Sequence, residues 1–114
     1  MSNIVTKPWG YENRWAITEK YLGKILKIDP NCRLSRQYHE QKDESIYVLE
    51  GHLTLEIGQG QEMSRRVLSP GESWRISPGT IHRFCAADDG CTLIEVSTPE
   101  INDVVRIEDD YKRE

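Results

Sequence analysis

The chain has 114 residues, of which 37% are hydrophobic and 30% are charged, and its formal net charge at pH 7 is -4. The length suits a single domain over residues 1–114, since domains commonly run to roughly 100 to 150 residues. The acidic balance argues against a nucleic-acid partner, because such binders present a concentrated basic surface. No membrane span is expected, since one needs about 20 consecutive apolar residues.

The N-terminal residues and the cysteines bear on where in the cell the protein is expected. The first residues contain no apolar run of signal-peptide length, so a cytoplasmic protein is expected. Cys32, Cys85 and Cys91 are an odd number without a Cys-x-x-Cys pair. Reduced thiols, without a zinc knuckle or a redox motif, are therefore expected.

Short apolar segments alternate with turn signals along most of the chain. The predicted strands are Gly23–Ile28, Ser45–Leu49, His52–Ile57, Met63–Leu68, Ser73–Ile76, His82–Cys85 and Cys91–Val96. The breaks between them are rich in glycine, proline, asparagine and aspartate, which favour turns. This spacing predicts an all-β sandwich or barrel. A short helix is predicted near the C-terminus, where Asn102 could cap residues 103–107.

Four polar side chains from two separate places in the sequence form a candidate metal site. His39 and Gln41 are two residues apart, so both side chains leave the same face of an extended strand. Glu44 follows a short polar break, and His82 follows the turn Ser77–Thr80. Two imidazoles, an amide oxygen and a carboxylate could thus bind one divalent ion. Zinc is the first expectation, with manganese, iron, cobalt and nickel as alternatives.

The spacing of these residues resembles the two motifs of the cupin family. The matching positions are His39, Glu44 and Gly51 in the first motif, and Gly71, Gly79 and His82 in the second. The resemblance implies a double-stranded β-helix, which is a small jelly-roll barrel. Four positions depart from the common pattern, where Gln41 replaces a histidine, Ser77 a proline, Ala86 an asparagine and Asn31 a turn glycine.

Within the cupins, the chain resembles the isomerase domain of type II mannose-6-phosphate isomerases along nearly its whole length. Three blocks lie in matching order, namely Lys7-Pro8-Trp9-Gly10, Arg33-Leu34-Ser35-Arg36-Gln37-Tyr38-His39 and Val105-Arg106-Ile107-Glu108-Asp109-Asp110-Tyr111-Lys112-Arg113. The resemblance implies metal-dependent interconversion of mannose 6-phosphate and fructose 6-phosphate. The family's motif arginine, histidine and tryptophan are replaced here by Lys42, Ser45 and Ile46.

The implied chemistry assigns roles to several residues. An aldose–ketose isomerase moves a proton between C2 and C1 through an enediolate, which a divalent Lewis acid stabilises. Lys42, at the position of the family's arginine, is the candidate for proton transfer or substrate contact. The resemblance assigns the substrate phosphate to Arg106 and Arg113, since guanidinium groups suit bidentate contact. Arg33 and Gln37 are further candidates for the substrate pocket.

The altered motif leaves two other function classes open. One is a non-catalytic cupin that binds a sugar or another small ligand. The other is a metal-dependent dioxygenase, since a fold does not determine a function. Small cupins also expose sheet edges, which are templates for pairing with another chain. We therefore expect a homodimer whose small-molecule partner is a sugar phosphate.

Overall fold

The computed structural model describes residues 3–112, which form nine β-strands and one turn of 3-10 helix at Gly60–Glu62. The strands are β1 (Ile4–Lys7), β2 (Gly10–Ile17), β3 (Leu22–Ile28), β4 (Arg36–Tyr38), β5 (Glu44–Ile57), β6 (Ser64–Leu68), β7 (Ser73–Ile76), β8 (His82–Ser97) and β9 (Val105–Glu108). Among these described residues, no helix has the length and apolar character needed to cross a membrane. The all-β prediction is confirmed.

Two pairs of predicted strands are single long strands. The segments Ser45–Leu49 and His52–Ile57 both lie in β5, and His82–Cys85 and Cys91–Val96 both lie in β8. Gly51 bends β5 with a φ of +73°, and a Cβ there would lie 2.1 Å from the carbonyl oxygen of Gly90. The turn residues therefore bend these paired strands through register shifts without ending them.

The predicted C-terminal helix is wrong, because Val105–Glu108 forms β9 and pairs with β4. Val105 and Ile107 are β-branched and alternate along this segment, which suits a strand better than a helix. Strands β1, β2 and β4 were not among the predicted elements. In β2 the polar run Glu12-Asn13-Arg14 obscures the period-2 pattern.

All nine strands belong to one curled antiparallel sheet with β8 at its centre. The strand order is β1-β2-β3-β8-β4-β9, while β5 pairs with β6, β7 and β8. The inner face holds a single apolar core that includes Leu26, Ile46 and Leu93, whose burial supplies hydrophobic stabilisation. Charged side chains also take inward, buried positions, as Lys24 does in β3 and Glu95 in β8. A charged cavity therefore lies beside the apolar core.

Candidate functional site

Three of the four predicted metal ligands converge in the structure. His39 directly follows β4, while Glu44 begins β5 and His82 begins β8. Gln37 pairs with His82 across β4 and β8, which brings the end of one strand beside the start of the other. One ligand atom from each of the three residues lies within 4.8 Å of the other two, and all three side chains are buried.

The hydrogen bonds of the two histidines leave their Nε2 atoms as acceptors. Nδ1 of His39 donates to the backbone oxygen of Asp103 at 2.5 Å, and Nδ1 of His82 donates to that of Thr80 at 2.9 Å. A carbonyl oxygen only accepts, so each Nδ1 holds a proton and Nε2 of the neutral ring has a lone pair. Burial lowers the pKa of His82, which favours this neutral form.

The converging atoms are suited to a cation. Within residues 3–112, His39 Nε2, Glu44 Oε2 and His82 Nε2 are buried without a hydrogen-bond partner. His39 Nε2 and Glu44 Oε2 are 2.9 Å apart, but not in the geometry of a hydrogen bond. Buried lone pairs that face one another are unfavourable unless a donor or an ion satisfies them. The set matches the two-histidine, one-carboxylate sites that hold zinc or iron with open positions.

The electrostatics of Glu44 agree with this arrangement. Burial by itself would raise the pKa of Glu44, but His39 when its Nε2 carries a proton, together with the ammonium of Lys42, outweighs that effect and lowers the pKa of the carboxyl. Glu44 therefore stays ionised at neutral pH and offers a negatively charged ligand.

The structure places Gln41, the fourth predicted ligand, at an exposed bend, outside the lining of the cavity that His39 and Glu44 share. Strand β4 ends at Tyr38 and the chain bends at 40–41, so the two-residue period of an extended strand does not apply. The carboxylate of Asp103 holds this bend by accepting hydrogen bonds from three backbone N–H groups, those of Glu40 (3.0 Å), Gln41 (2.7 Å) and Lys42 (2.9 Å). Gln41 is consequently exposed and Lys42 is buried.

Lys42 lies inside the cavity between two carboxylates. Its Nζ is 3.0 Å from Oε2 of Glu95 and 3.5 Å from Oε2 of Glu44. Burial opposes the ammonium charge, but these two carboxylates outweigh it and raise the pKa of Lys42. The side chain therefore stays protonated at neutral pH, which suits it to donate hydrogen bonds and not to remove a proton.

Glu95 is a candidate that the sequence prediction missed. Only 4% of its surface is exposed, and burial together with Glu44 raises the pKa of its carboxyl against the opposing effect of Lys42. A buried carboxyl with a raised pKa in a cavity is suited to proton transfer. The alternation of Cys91, Leu93 and Glu95 on the inner face of β8 places a charge in an apolar series, and this signal could have identified it.

A cavity of about 380 Å³ adjoins the cluster, a volume within the range of small-molecule sites. Its described lining has five cationic side chains, Lys7, Arg14, Lys24, Lys42 and Arg106, and four acidic ones, Glu12, Glu44, Glu95 and Asp103. Apolar side chains, including Trp9 and Phe84, form the rest of the wall. The cavity therefore suits a small polar ligand.

The predicted substrate-binding residues divide into two groups. Gln37 and Arg106 line the cavity, as expected. Arg33 does not, because its exposed guanidinium donates two hydrogen bonds to the carboxylate of Asp110, at 2.7 and 2.9 Å. That contact joins Arg33, at the start of the second sequence block, to Asp110 in the third block. The prediction for Arg113 lies outside the described residues.

Comparison with known sequences agrees with this architecture. Residues 24–97 match the family model Cupin_2, a cupin domain. The xanthan biosynthesis protein XanB of Xanthomonas campestris pv. campestris is 30% identical over 115 residues, which cover 96% of this chain and 23% of XanB. The chain therefore spans only 23% of the length of that curated relative.

Solved structures show the same fold. KdgF from Halomonas sp. superposes with a TM-score of 0.76 at 22% identity, over 88% of this chain and 90% of KdgF. The oxalate decarboxylase of Bacillus subtilis superposes with a TM-score of 0.81 at 15% identity, over 93% of this chain and 30% of the decarboxylase. Mn(II) centres have been described in that decarboxylase. These likenesses confirm the predicted jelly-roll barrel. The match of residues 24–97 to the cupin domain model shows that the chain belongs to the cupin family.

Proposed function

We propose that this cupin is a metal-dependent sugar-phosphate isomerase, with mannose 6-phosphate and fructose 6-phosphate as the first substrate pair to test. The observation that supports it is the convergence of His39, Glu44 and His82 beside a cavity that also contains Lys42 and Glu95. The relative XanB, a xanthan biosynthesis protein, supports a carbohydrate-related substrate. The resemblance of three sequence blocks to those of type II mannose-6-phosphate isomerases supports the choice of sugar.

Two imidazoles and one carboxylate would hold the metal. Nε2 of His39 and of His82 and Oε2 of Glu44 are the atoms available for it. When bound, a divalent ion supplies Lewis-acid polarisation of a carbonyl oxygen. Zinc is the first candidate, with manganese, iron, cobalt and nickel as alternatives for the same donors.

Glu95 is the proposed proton carrier between C2 and C1 of the sugar. Its carboxyl is buried in the cavity wall, and burial together with Glu44 raises its pKa, which is the direction that suits a general acid or base. Lys42, at 3.0 Å from Glu95, supplies a fixed positive charge and hydrogen-bond donors for the substrate oxygens. The chemistry thus uses Lys42 for substrate contact, while Gln37 and Arg106 offer further polar contacts in the cavity.

One observation favours a second candidate, a cupin that binds a sugar without converting it. The ammonium of Lys42 lies 3.5 Å from Oε2 of Glu44, so a positive charge already faces the carboxylate that a metal would use. A metal ion held by Glu44 would lie near this ammonium, and like charges repel strongly in a buried site, which weakens metal binding. A binding protein would keep the polar cavity without needing the ion.

Exchange of the C2 proton with solvent separates the two functions. The wild-type protein is loaded in turn with zinc, manganese, iron, cobalt and nickel and incubated with mannose 6-phosphate in deuterium oxide. An isomerase exchanges the C2 proton and forms fructose 6-phosphate, both seen by proton NMR. Binding of the sugar without exchange under every metal would instead select the non-catalytic function.

A further inference from the structure

We infer that Glu108 and Asp110 latch the C-terminal segment to arginines on the outer face of the sheet, and that this latch holds one wall of the cavity against His39. The inference rests on the proposed function, because it describes how the proposed site is kept in place. It assigns a positioning role to three arginines that lie outside the described lining of the cavity.

The C-terminal segment forms one wall of the cavity. Its cavity-lining residues are Ile101, Asn102, Asp103, Val104 and Arg106. The backbone oxygen of Asp103 also accepts the hydrogen bond from Nδ1 of His39. Strand β9 lies at the end of the order β8-β4-β9, beside the three-residue strand β4. Edge elements with few neighbours open more readily than central strands, so further contacts are needed to hold this wall in place.

A bulge in β9 turns the segment from the cavity to the outer face of the sheet. Arg106 pairs with Gln37, and both residues line the cavity. The next pair joins Glu108 to Arg36, so Ile107 is an extra residue on the β9 side of the ladder. A bulge of this kind redirects the side chains that follow it. Glu108 therefore leaves the cavity side and reaches the face on which Arg36 lies.

Three arginines receive the two acids of the segment. Glu108 lies between Arg36, whose Nε is 3.2 Å from its Oε2, and Arg83, whose Nη1 is 3.5 Å from its Oε1. Asp110 accepts a hydrogen bond from Arg83 at 3.0 Å and two from Arg33 at 2.7 and 2.9 Å. Arginines and acids thus alternate in one row, which joins the C-terminal segment to β4 and β8.

The buried charge of Arg83 favours the closed latch. Arg83 follows the candidate ligand His82 in β8, so its side chain leaves the opposite face of the sheet, yet it is only 2% exposed. Its guanidinium forms ion pairs with Glu108 and Asp110, and its Nε donates to the backbone oxygen of Leu34 at 2.8 Å. A buried charge that loses its partners is strongly destabilising. Release of the segment would remove both acids from Arg83 and is therefore unfavourable.

Glu56, the acid opposite Arg83 in register, is already bound by other arginines. Its carboxylate accepts hydrogen bonds from Arg36 at 2.6 Å and from Arg65 at 3.0 Å. One carboxylate between two guanidinium groups is poorly placed to balance a third. The charge of Arg83 is therefore balanced by the acids of the C-terminal segment.

Hydrogen exchange followed by NMR tests the latch in the intact chain, without substrate or added metal. The double variant Glu108→Gln/Asp110→Asn keeps the shape of both side chains but removes their charge. The amides of residues 101–108 should then exchange about ten-fold faster or more, the effect of one lost charge-assisted hydrogen bond. Arg33→Met, which removes an exposed partner of Asp110, should accelerate the same amides by a smaller factor. Asp88→Asn, which removes an exposed acid from β8, is the matched control and should exchange as wild type does.

The Nδ1 protons of the two histidines show whether the latch reaches the metal cluster. His39 donates to the backbone oxygen of Asp103, within the segment, so its Nδ1 proton should exchange faster in the double variant. His82 donates to the backbone oxygen of Thr80, outside the segment, so its Nδ1 proton should exchange as in wild type. The second histidine is therefore an internal control.

Three results would overturn the latch. One is unchanged exchange of residues 101–108 in both the double variant and Arg33→Met. Another is an equal acceleration at His39, at His82 and in β3, which would show a general loss of stability. The third is faster exchange of residues 101–108 with an unchanged Nδ1 proton of His39, which would show that the segment moves without affecting the site. Failure of the isomerase is distinct, because these exchange rates are measured without substrate and do not depend on C2 exchange.

Discussion

The backbone oxygen of Asp103 accepts a hydrogen bond from Nδ1 of His39 at 2.5 Å. The carboxylate of Asp103 also accepts the backbone N–H groups of residues 40–42, and these bonds, led by that of Gln41, lower the pKa of Asp103. One residue therefore sets the tautomer of a candidate metal ligand and the bend that buries Lys42. The segment before β9 is thus part of the site, although it lies 64 positions from His39.

Asp103→Ala should weaken metal binding about ten- to a hundred-fold, as removal of groups that orient metal ligands commonly does. The substitution removes the acceptor of three N–H groups, so the bend and the position of His39 are less well defined. Metal titration measures the affinity, and nitrogen-15 NMR of the metal-free protein reports the tautomer of His39. Glu40→Ala, which removes an exposed acid from the same bend, is the control. An unchanged metal affinity in Asp103→Ala would contradict the role given to this carboxylate.

His82→Ala should remove most of the bound metal from the purified protein. The substitution deletes one of the three converging ligand atoms, and two protein ligands hold an ion poorly. Mass spectrometry of the metal content should find about one ion per wild-type chain. His52→Ala is the matched control, because His52 is exposed, contacts Asp89, and does not belong to the converging set. A wild type that binds none of the five metals would refute the metal site.

Glu95→Gln should slow C2 proton exchange by about 10²- to 10⁴-fold, the usual contribution of general acid–base catalysis. The amide keeps the shape of the side chain but cannot carry the proton. Metal content should be unchanged, since Glu95 is outside the converging set. Glu50→Gln, on the exposed surface of β5, is the control. If Glu95→Gln exchanges the C2 proton at the wild-type rate and Lys42→Ala does not exchange it, then Lys42 and not Glu95 carries the proton.

The ion pairs of Glu56 predict a loss of stability in acid. Burial alone would raise the pKa of Glu56, but Arg36 at 2.6 Å and Arg65 at 3.0 Å outweigh it, so its pKa lies below the ordinary 4.5. The folded state thus binds this proton less tightly than the unfolded state. The resulting stability is fully present above pH 4.5 and is lost as the pH falls through the folded pKa.

Urea unfolding at a series of pH values measures this effect. Glu56→Gln should reduce the free energy of unfolding at pH 7 by about 1 to 3 kcal/mol, because it weakens charge-assisted hydrogen bonds. The difference from wild type should shrink between pH 5 and pH 3. A constant difference over that range would show that Glu56 does not contribute through its charge. Glu72→Gln, an exposed acid, is the control.

A homodimer is the expected assembly. Trp15, Tyr47 and Val96 lie on the outer face of β2, β5 and β8, and are 54%, 44% and 50% exposed. Trp15 packs over Gly23, which is in register with Val96, so these residues form one apolar patch of the kind that marks contact surfaces. Light scattering should give twice the chain mass of 13.2 kDa, and Val96→Lys should shift it towards one chain. Val67→Lys, exposed on β6, is the control, and a single-chain mass for wild type would contradict the prediction.

The sequence by itself determined the all-β class and the residues His39, Glu44 and His82. Period-2 alternation and turn residues are local signals, so they predicted strands such as Ser73–Ile76 with their observed bounds. The cluster was predictable because the motif spacings reflect strand and turn lengths. Missed elements, such as β2 with its polar run, lacked that local alternation.

Only the tertiary structure decided which way Gln41 and Lys42 face and which charges share the cavity. The bend at 40–41 depends on a hydrogen bond from Gln41 to Asp103, which lies 62 positions later in the sequence. Glu12, Lys24 and Glu95 come together because β2, β3 and β8 are neighbours in the sheet. Such long-range pairing is set by the packing of the entire core, so the sequence alone does not show that these three charges share one cavity.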